Sequence, residues 1–197
     1  MVFAHDTELA LQAAVVLANS ALEPDTLTTV ADLDAVWDEF GYTGRHERTR
    51  AELDAVRGIR GELLALLTAD RDGAVERVNR LLRDNRAVPQ LARHGDFDWH
   101  VHAVDTDAPL ATRVLVETAM AMVDVVRSDE MSRLAVCADD TCEGIVLDLT
   151  RNRSRRFCST TCANRMAVAA YRARKKSCSW SSPRSSPTRS WRPSSVP

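Results

Sequence analysis

Four cysteines constrain this chain more than any other feature. They run Cys137-Ala-Asp-Asp-Thr-Cys142, then fifteen residues, then Cys158-Ser-Thr-Thr-Cys162, a C-x4-C-x15-C-x3-C pattern. Two short-spaced thiol pairs separated by a hairpin-length segment suit a tetrahedral zinc site. Each pair reaches two corners from a tight turn or a helix start, and the chain between them brings the pairs together. Reducing conditions favour a metal over two disulfides. Four thiolates close the coordination shell, so the expectation is one structural Zn2+ and not a catalytic ion. The competing readings are a redox dithiol pair or unconnected thiols. Cys178 lies outside the spacing and reads as a free thiol.

The segments between the thiols agree with such a site. Residues 145–149 form a short apolar run suited to a strand, 151–154 make a polar turn, and 155–158 return toward the third cysteine. Ser159 or Thr160 can cap a helix that carries Cys162, Met166, Val168, Ala169 and Tyr171. Knuckle, hairpin and a helix bearing the last ligand describe a treble clef. A unit of roughly forty residues builds little core, so zinc would be its main stabiliser.

Charge divides the chain at the same place. All 28 acidic residues lie at or before Asp148, while residues 150–197 hold 12 basic residues and no acid. Within 137–176 there are nine Lys and Arg against four acids. A zinc with four thiolates adds a formal −2 and leaves about +3. Arg151, Arg153, Arg155 and Arg156 cluster on the turn and its return; Arg165, Arg172, Arg174, Lys175 and Lys176 lie along the helix. That stripe can follow a phosphate backbone, and arginine can grip phosphate or guanine with two parallel hydrogen bonds. The same cations have competing uses. They can hydrogen-bond the sulfurs, favour a helix C-terminus, or dock on the acidic remainder of the chain.

The first 130 residues read as an α-helical domain with a small β element. Helical periodicity covers 7–19, a short helix capped by Thr29 or Asp32 and ending at Phe40, 47–68, 72–86, and 109–128 with Pro109 at the first position. Gly58 and Gly61 weaken the third of these. Residues 98–104 alternate as a strand that can pair with 88–92, and His94-Gly95-Asp96 signals a turn. The overall expectation is a mainly α fold: a helical domain over 1–130, a treble-clef-like finger over 133–176, and a disordered Ser/Pro/Arg-rich tail over 177–197. The abrupt change of composition after Lys176 also fits a frameshifted reading frame. No apolar run reaches the roughly 18–20 residues that span a bilayer. The first ten residues contain no Lys or Arg, so they read as neither a secretory nor a transit signal, and the chain is expected to be cytoplasmic.

Isolated residues add less. His100 and His102 share one strand face and read as ordinary, partly exposed histidines, although a second metal site or an acid–base pair is the sharper alternative. Asn19 is a weak candidate for a ligand pocket, with a helix C-cap as the plainer reading. Trp37 and Trp99 read as core or core-edge aromatics, and Met120, Met122 and Met131 as core filling. Asp124 and Arg127 are spaced as a surface pair.

At this point the residues carry a resemblance. The stretch 133–176 resembles the CGNR zinc-finger family of bacterial proteins. It shares the first cysteine pair, the LDLTRNRSRRFC segment and Cys162-Ala-Asn164-Arg165 at the start of the last helix; Ala163 stands where the family name has glycine, and C-x3-C replaces the commoner C-x4-C. Residues 7–131 resemble, more weakly, the helical ABATE domain that precedes this finger, through Leu17-Ala-Asn19-Ser20 and the stretch 33–37. The resemblance implies ligand roles for Cys137, Cys142, Cys158 and Cys162, a motif role for Asn164 and Arg165, and a stress-induced transcriptional regulator.

The expectation is therefore a regulator that binds double-stranded DNA through its finger. Its helical domain would sense a small-molecule effector or form a homodimer. A zinc-stabilised protein-interaction module without direct DNA binding is the alternative. An RNA-binding role ranks lower, because only Phe157 and Tyr171 are available for stacking. No nucleophile–base pair, glycine-rich phosphate loop, GxSxG or HExxH marks an enzyme.

Overall fold

The computed structural model describes residues 3–93 and 99–179. The elements in chain order are α1 (His5–Asn19), α2 (Val30–Glu39), α3 (Arg50–Gly58), α4 (Arg60–Leu67), α5 (Arg71–Asp84), β1 (Gln90–Ala92), β2 (His100–His102) and α6 (Leu110–Arg127). A 3-10 turn at Met131–Arg133 leads to β3 (Leu134–Val136), β4 (Ile145–Leu147) and α7 (Thr160–Ser179).

α1 is apolar on nearly every side because it is central. Leu11, Ala13, Ala14, Leu17 and Ala18 are buried, and the helix packs on α6, α4 and β4. α2 opens with a capping box in which the Thr29 side chain accepts from Asp32 N–H and Asp32 accepts from Thr29 N–H. The helix expected over 47–68 is two helices, broken at Ile59. Glycines flank the break, yet a Cβ on Gly58 or Gly61 would meet nothing within 4 Å, so helix propensity and not close packing explains them. α5 is capped by Asp70 and not by Asp72: Asp70 Oδ1 accepts from Gly73 N–H at 2.8 Å, against a glycine that has no Cβ to block it. Pro109 occupies the N-cap of α6, one position before the expected first turn.

β1 and β2 pair antiparallel, with Leu91 opposite Val101. The expected hairpin is thus present, while its 94–96 turn lies outside the described residues. Trp99, expected in or near the core, is 64% exposed.

The second hairpin corrects the sequence reading. β4 pairs antiparallel with β3, Leu134 opposite Leu147 and Val136 opposite Ile145, and not with residues 155–158. The Asp148 carboxylate explains the difference. It accepts from Thr150 N–H at 2.8 Å, Thr150 Oγ1 at 2.6 Å and Arg155 N–H at 2.7 Å, so it claims a donor that a returning strand would need. The returning segment keeps one bond of another kind, from Ala138 N–H to Arg156 O at 2.9 Å.

One apolar core runs through both halves of the chain. Ile145 and Leu147 are buried in the same cluster as Leu11, Leu17, Leu63, Val114 and Met122. Burial of two such side chains stabilises the junction by about 3–6 kcal/mol. Asn19 completes it: its Nδ2 donates to Ile145 O at 2.9 Å, and its Oδ1 accepts from Ile145 N–H at 2.7 Å. Neither a pocket nor a C-cap describes this residue; its amide stands in for a neighbouring strand. Buried Arg133 donates to Glu130 at 2.8 Å and to the carbonyls of Asp148 and Thr150 at 2.9 and 3.1 Å.

Candidate metal centre and basic helix

The knuckle is built by backbone bonds. Cys137 N–H donates to Gly144 O at 2.7 Å and Cys142 N–H to Asp139 O at 2.8 Å, which folds the first thiol pair into a tight turn at the end of the β3–β4 hairpin. The second pair is placed by a helix start. Ser159 Oγ accepts from Cys162 N–H at 3.2 Å, so Ser159 is the cap and Cys162 sits in the first turn of α7. There the positive end of the helix dipole favours a thiolate.

All four sulfurs lie within 4.8 Å of one another. Cys142 Sγ is 3.5 Å from Cys158 Sγ, which is 3.8 Å from Cys162 Sγ. A disulfide needs about 2.05 Å, whereas thiolates at about 2.3 Å from a tetrahedral zinc stand about 3.8 Å apart. The donor set and spacing therefore fit one zinc with a closed shell. Backbone N–H groups already face the sulfurs: Gly144 N–H reaches Cys142 Sγ and Cys158 N–H reaches Cys137 Sγ, each at 3.4 Å. Burial works against ionising Cys137, yet the backbone N–H groups of Cys158 and Asp139, with the thiols of Cys158 and Cys162, outweigh it and hold the thiol below its ordinary value. Burial and the neighbouring sulfurs push Cys158 up. Four thiols this close ionise together only when a cation compensates them, which is what zinc supplies.

Gly144 has to be bare. A Cβ there would stand 2.9 Å from Cys158 Sγ, 3.1 Å from Leu22 Cδ1 and 3.3 Å from Cys142 Sγ. Two buried aspartates shape the turns on either side. Asp139 Oδ1 accepts from Thr141 N–H and Oγ1, as Asp148 Oδ1 does from Thr150. For Asp139 the Thr141 N–H and hydroxyl, aided by nearby Arg165, hold the carboxyl below the usual carboxylate range. Burial opposes the charge on Asp148, but its three donors win and depress it too. The signal was legible as Asp-x-Thr at 139–141 and again at 148–150, each able to close an Asx turn.

The basic residues part into two groups. Arg153, though exposed, pairs with Ser132 Oγ at 2.9 Å and Glu130 at 2.8 Å, from a backbone at φ +47°. Arg165 lies 2.9 Å from Asp139 Oδ2 and donates to Thr141 Oγ1 at 2.6 Å, so it ties α7 to the knuckle. Arg155, Arg156, Asn164, Arg172, Arg174 and Lys175 are exposed. Lys176 lies further along α7, whose helical backbone runs to Ser179, past the expected start of the tail; residues 180–197 lie outside the described residues.

The comparisons with known proteins join these observations. The CGNR zinc finger model matches residues 133–175. The model for ABATE, described as "Putative stress-induced transcription regulator", matches residues 11–129, more than half of the chain. The chain belongs to the ABATE family. No curated protein matches it. Both descriptions concern a regulator and a finger, not an enzyme, and among the described residues no helix is long and apolar enough to cross a membrane.

The ABATE domain holds a cavity of about 450 Å³ between the N-terminal half of α1, the α2–α3 loop, α6 and the β1–β2 hairpin. Its position owes much to Arg113, a buried guanidinium that donates to Ala108 O at 3.1 Å and to the carbonyls of Thr43 and Arg45 while lying 5.3 Å from the Trp37 ring centre. His46 stacks on the other part of this cluster, 4.3 Å from Trp37, and bridges Glu52 and Asp34 at 2.8 and 2.7 Å. Sequence reasoning missed Arg113 and Glu117. The available signal was a pair of opposite charges four residues apart in the first half of α6, whose neighbours are mostly apolar. His100 and His102 line the cavity with their Nε2 atoms 2.9 Å apart, and Asp124 accepts from Thr7 Oγ1 at 2.7 Å. Among the described residues the only cysteine, histidine and carboxylate cluster that fits a metal is the four-cysteine one.

Proposed function

We propose that the chain is a transcription regulator that binds double-stranded DNA through its CGNR finger, with the ABATE domain sensing a small effector. The observation that carries this reading is α7. From Arg172 to Lys175 every residue is exposed, and these basic side chains lie on α7 beyond the metal ligands. Arg155 and Arg156 add exposed charge from the returning segment. Arg153 and Arg165, already committed to carboxylates, contribute shape more than contact.

The body and the finger share α1, which gives the effector a route to the finger. Its N-terminal half lines the cavity and its last residue, Asn19, holds Ile145, with a helix of 15 residues between. A ligand that prefers one setting of α1 would bias the finger's position.

The test is fluorescence anisotropy of the zinc-loaded chain on duplex DNA. Affinity should fall with salt at a log–log slope of about −0.9 per phosphate contact. Replacing Arg172, Arg174, Lys175 and Lys176 by Ala should flatten that slope. Salt-independent binding, or none at low salt, would sink the proposal. One observation favours a second reading, the protein-interaction module. Val168 and Tyr171 are 48% and 60% exposed on α7, surface that a phosphate backbone does not require. A partner, including a second copy of this chain, would cover it, and sedimentation velocity distinguishes a dimer from a monomer.

A further inference from the structure

We propose that the ABATE cavity binds a small amphipathic organic cation, an ammonium group on an aliphatic or aromatic body, with Glu117 as its counter-ion. This deepens the effector-sensing part of the reading above and rests on it. The volume of about 450 Å³ falls in the range of small-molecule sites. Its walls are largely apolar, formed by residues such as Leu9, Ala10, Phe40 and Met120.

Among the described residues, neither the Glu117 carboxyl nor the Tyr42 hydroxyl finds a hydrogen-bond partner, and both face the cavity. Burial pushes Glu117 up to about 7, although Arg113 pulls the other way. Burial, followed by the charge of Glu117, raises Tyr42 as well. No hydrogen bond joins Arg113 to the carboxylate; each of its three nitrogens donates instead to a backbone carbonyl, of Ala108, Thr43 and Arg45. An unpaired carboxyl in an apolar site is costly, and a cation that arrives with its own apolar body relieves that cost.

The rest of the lining selects the sign of the ligand. Asp6 and Asp124 add two carboxylates, Arg127 one guanidinium and His100 and His102 two imidazoles, so with Glu117 the carboxylates outnumber the permanent cation. Trp99 at the rim offers an exposed aromatic face, which attracts a cation. An anionic ligand would instead have to enter beside three carboxylates.

Three probes of matched size test the sign directly: phenethylammonium, 2-phenylethanol and 3-phenylpropionate. Each is titrated into the full chain without DNA and followed by protein-observed NMR at the indole of Trp99. The ammonium should bind at least about tenfold more tightly than either analogue, and Glu117→Gln should remove that preference while leaving weak binding of the alcohol. The wild-type comparison needs no variant, so it stands even if Glu117→Gln misfolds. The proposal is overturned if the alcohol or the anion binds as tightly as the ammonium, if none of the three binds at millimolar concentration, or if folded Glu117→Gln keeps the preference. Because no DNA is present, failure here leaves the DNA-binding reading standing, and loss of DNA binding leaves this result untouched.

Discussion

The helical body and the finger are stabilised by different physics. The body has a continuous apolar core on which helices α1, α4, α5 and α6 converge. The finger's own cluster is small: Cys137, Val146 and Cys162, with Phe157 and two further cysteines against it. Its most apolar strand, β4, gives Ile145 and Leu147 to the body's core instead. What remains beyond β4 depends on zinc, two Asx turns and ion pairs. The difference teaches where each part should fail. The body should tolerate loss of metal, and the finger should not.

The largest effect should come from the metal. Replacing Cys158 with Ser removes a ligand, and structural zinc contributes about 10–16 kcal/mol to small finger domains. Hydrogen exchange should show α7 unprotected while α1 and α6 stay protected. Simultaneous loss of both would break the comparison. Next is the seam. Asn19→Ala leaves Ile145 N–H and C=O without a side-chain partner and should cost about 2–3 kcal/mol by chemical denaturation, with zinc affinity nearly unchanged. A fall in zinc affinity as large as the fall in stability would mean that seam and metal site are one unit.

A smaller effect sharpens the contrast at the sulfurs. Gly144→Ala crowds Cys158 and Cys142, which zinc holds rigidly, and should weaken zinc binding about tenfold in a chelator competition. Unchanged affinity would mean that the knuckle relaxes freely. The last effect belongs to the body and has a pH signature. Glu117 is raised from 4.5 to about 7, so the folded state keeps its proton longer than the unfolded state. Stability is therefore lost as pH rises from 4.5 to 7, and the penalty is complete above that window. Glu117→Gln should stabilise the chain by about 1–3 kcal/mol at pH 8 and little at pH 4, by denaturation at both values. Equal effects at both would contradict the burial argument.

The same two regions differ in how far the sequence spoke for them. The cysteine spacing and the resemblance located the metal site, because ligand geometry ties function to local spacing. The helices of the body followed from periodicity. What spacing could not show was pairing at a distance. The partner of β4 is β3, since Asp148 takes the Arg155 N–H through a side-chain bond that no periodicity encodes. Asn19 meets Ile145 across 126 residues, so its role at the seam was visible only in three dimensions. Glu117 looked like any helix carboxylate until the cavity around it was formed.

The most direct measurement pairs two signals on one sample as zinc is withdrawn by a chelator: anisotropy of bound duplex DNA and far-UV circular dichroism of the protein. The account predicts that DNA is released while most of the helical signal remains. DNA binding that survives complete zinc removal would contradict it.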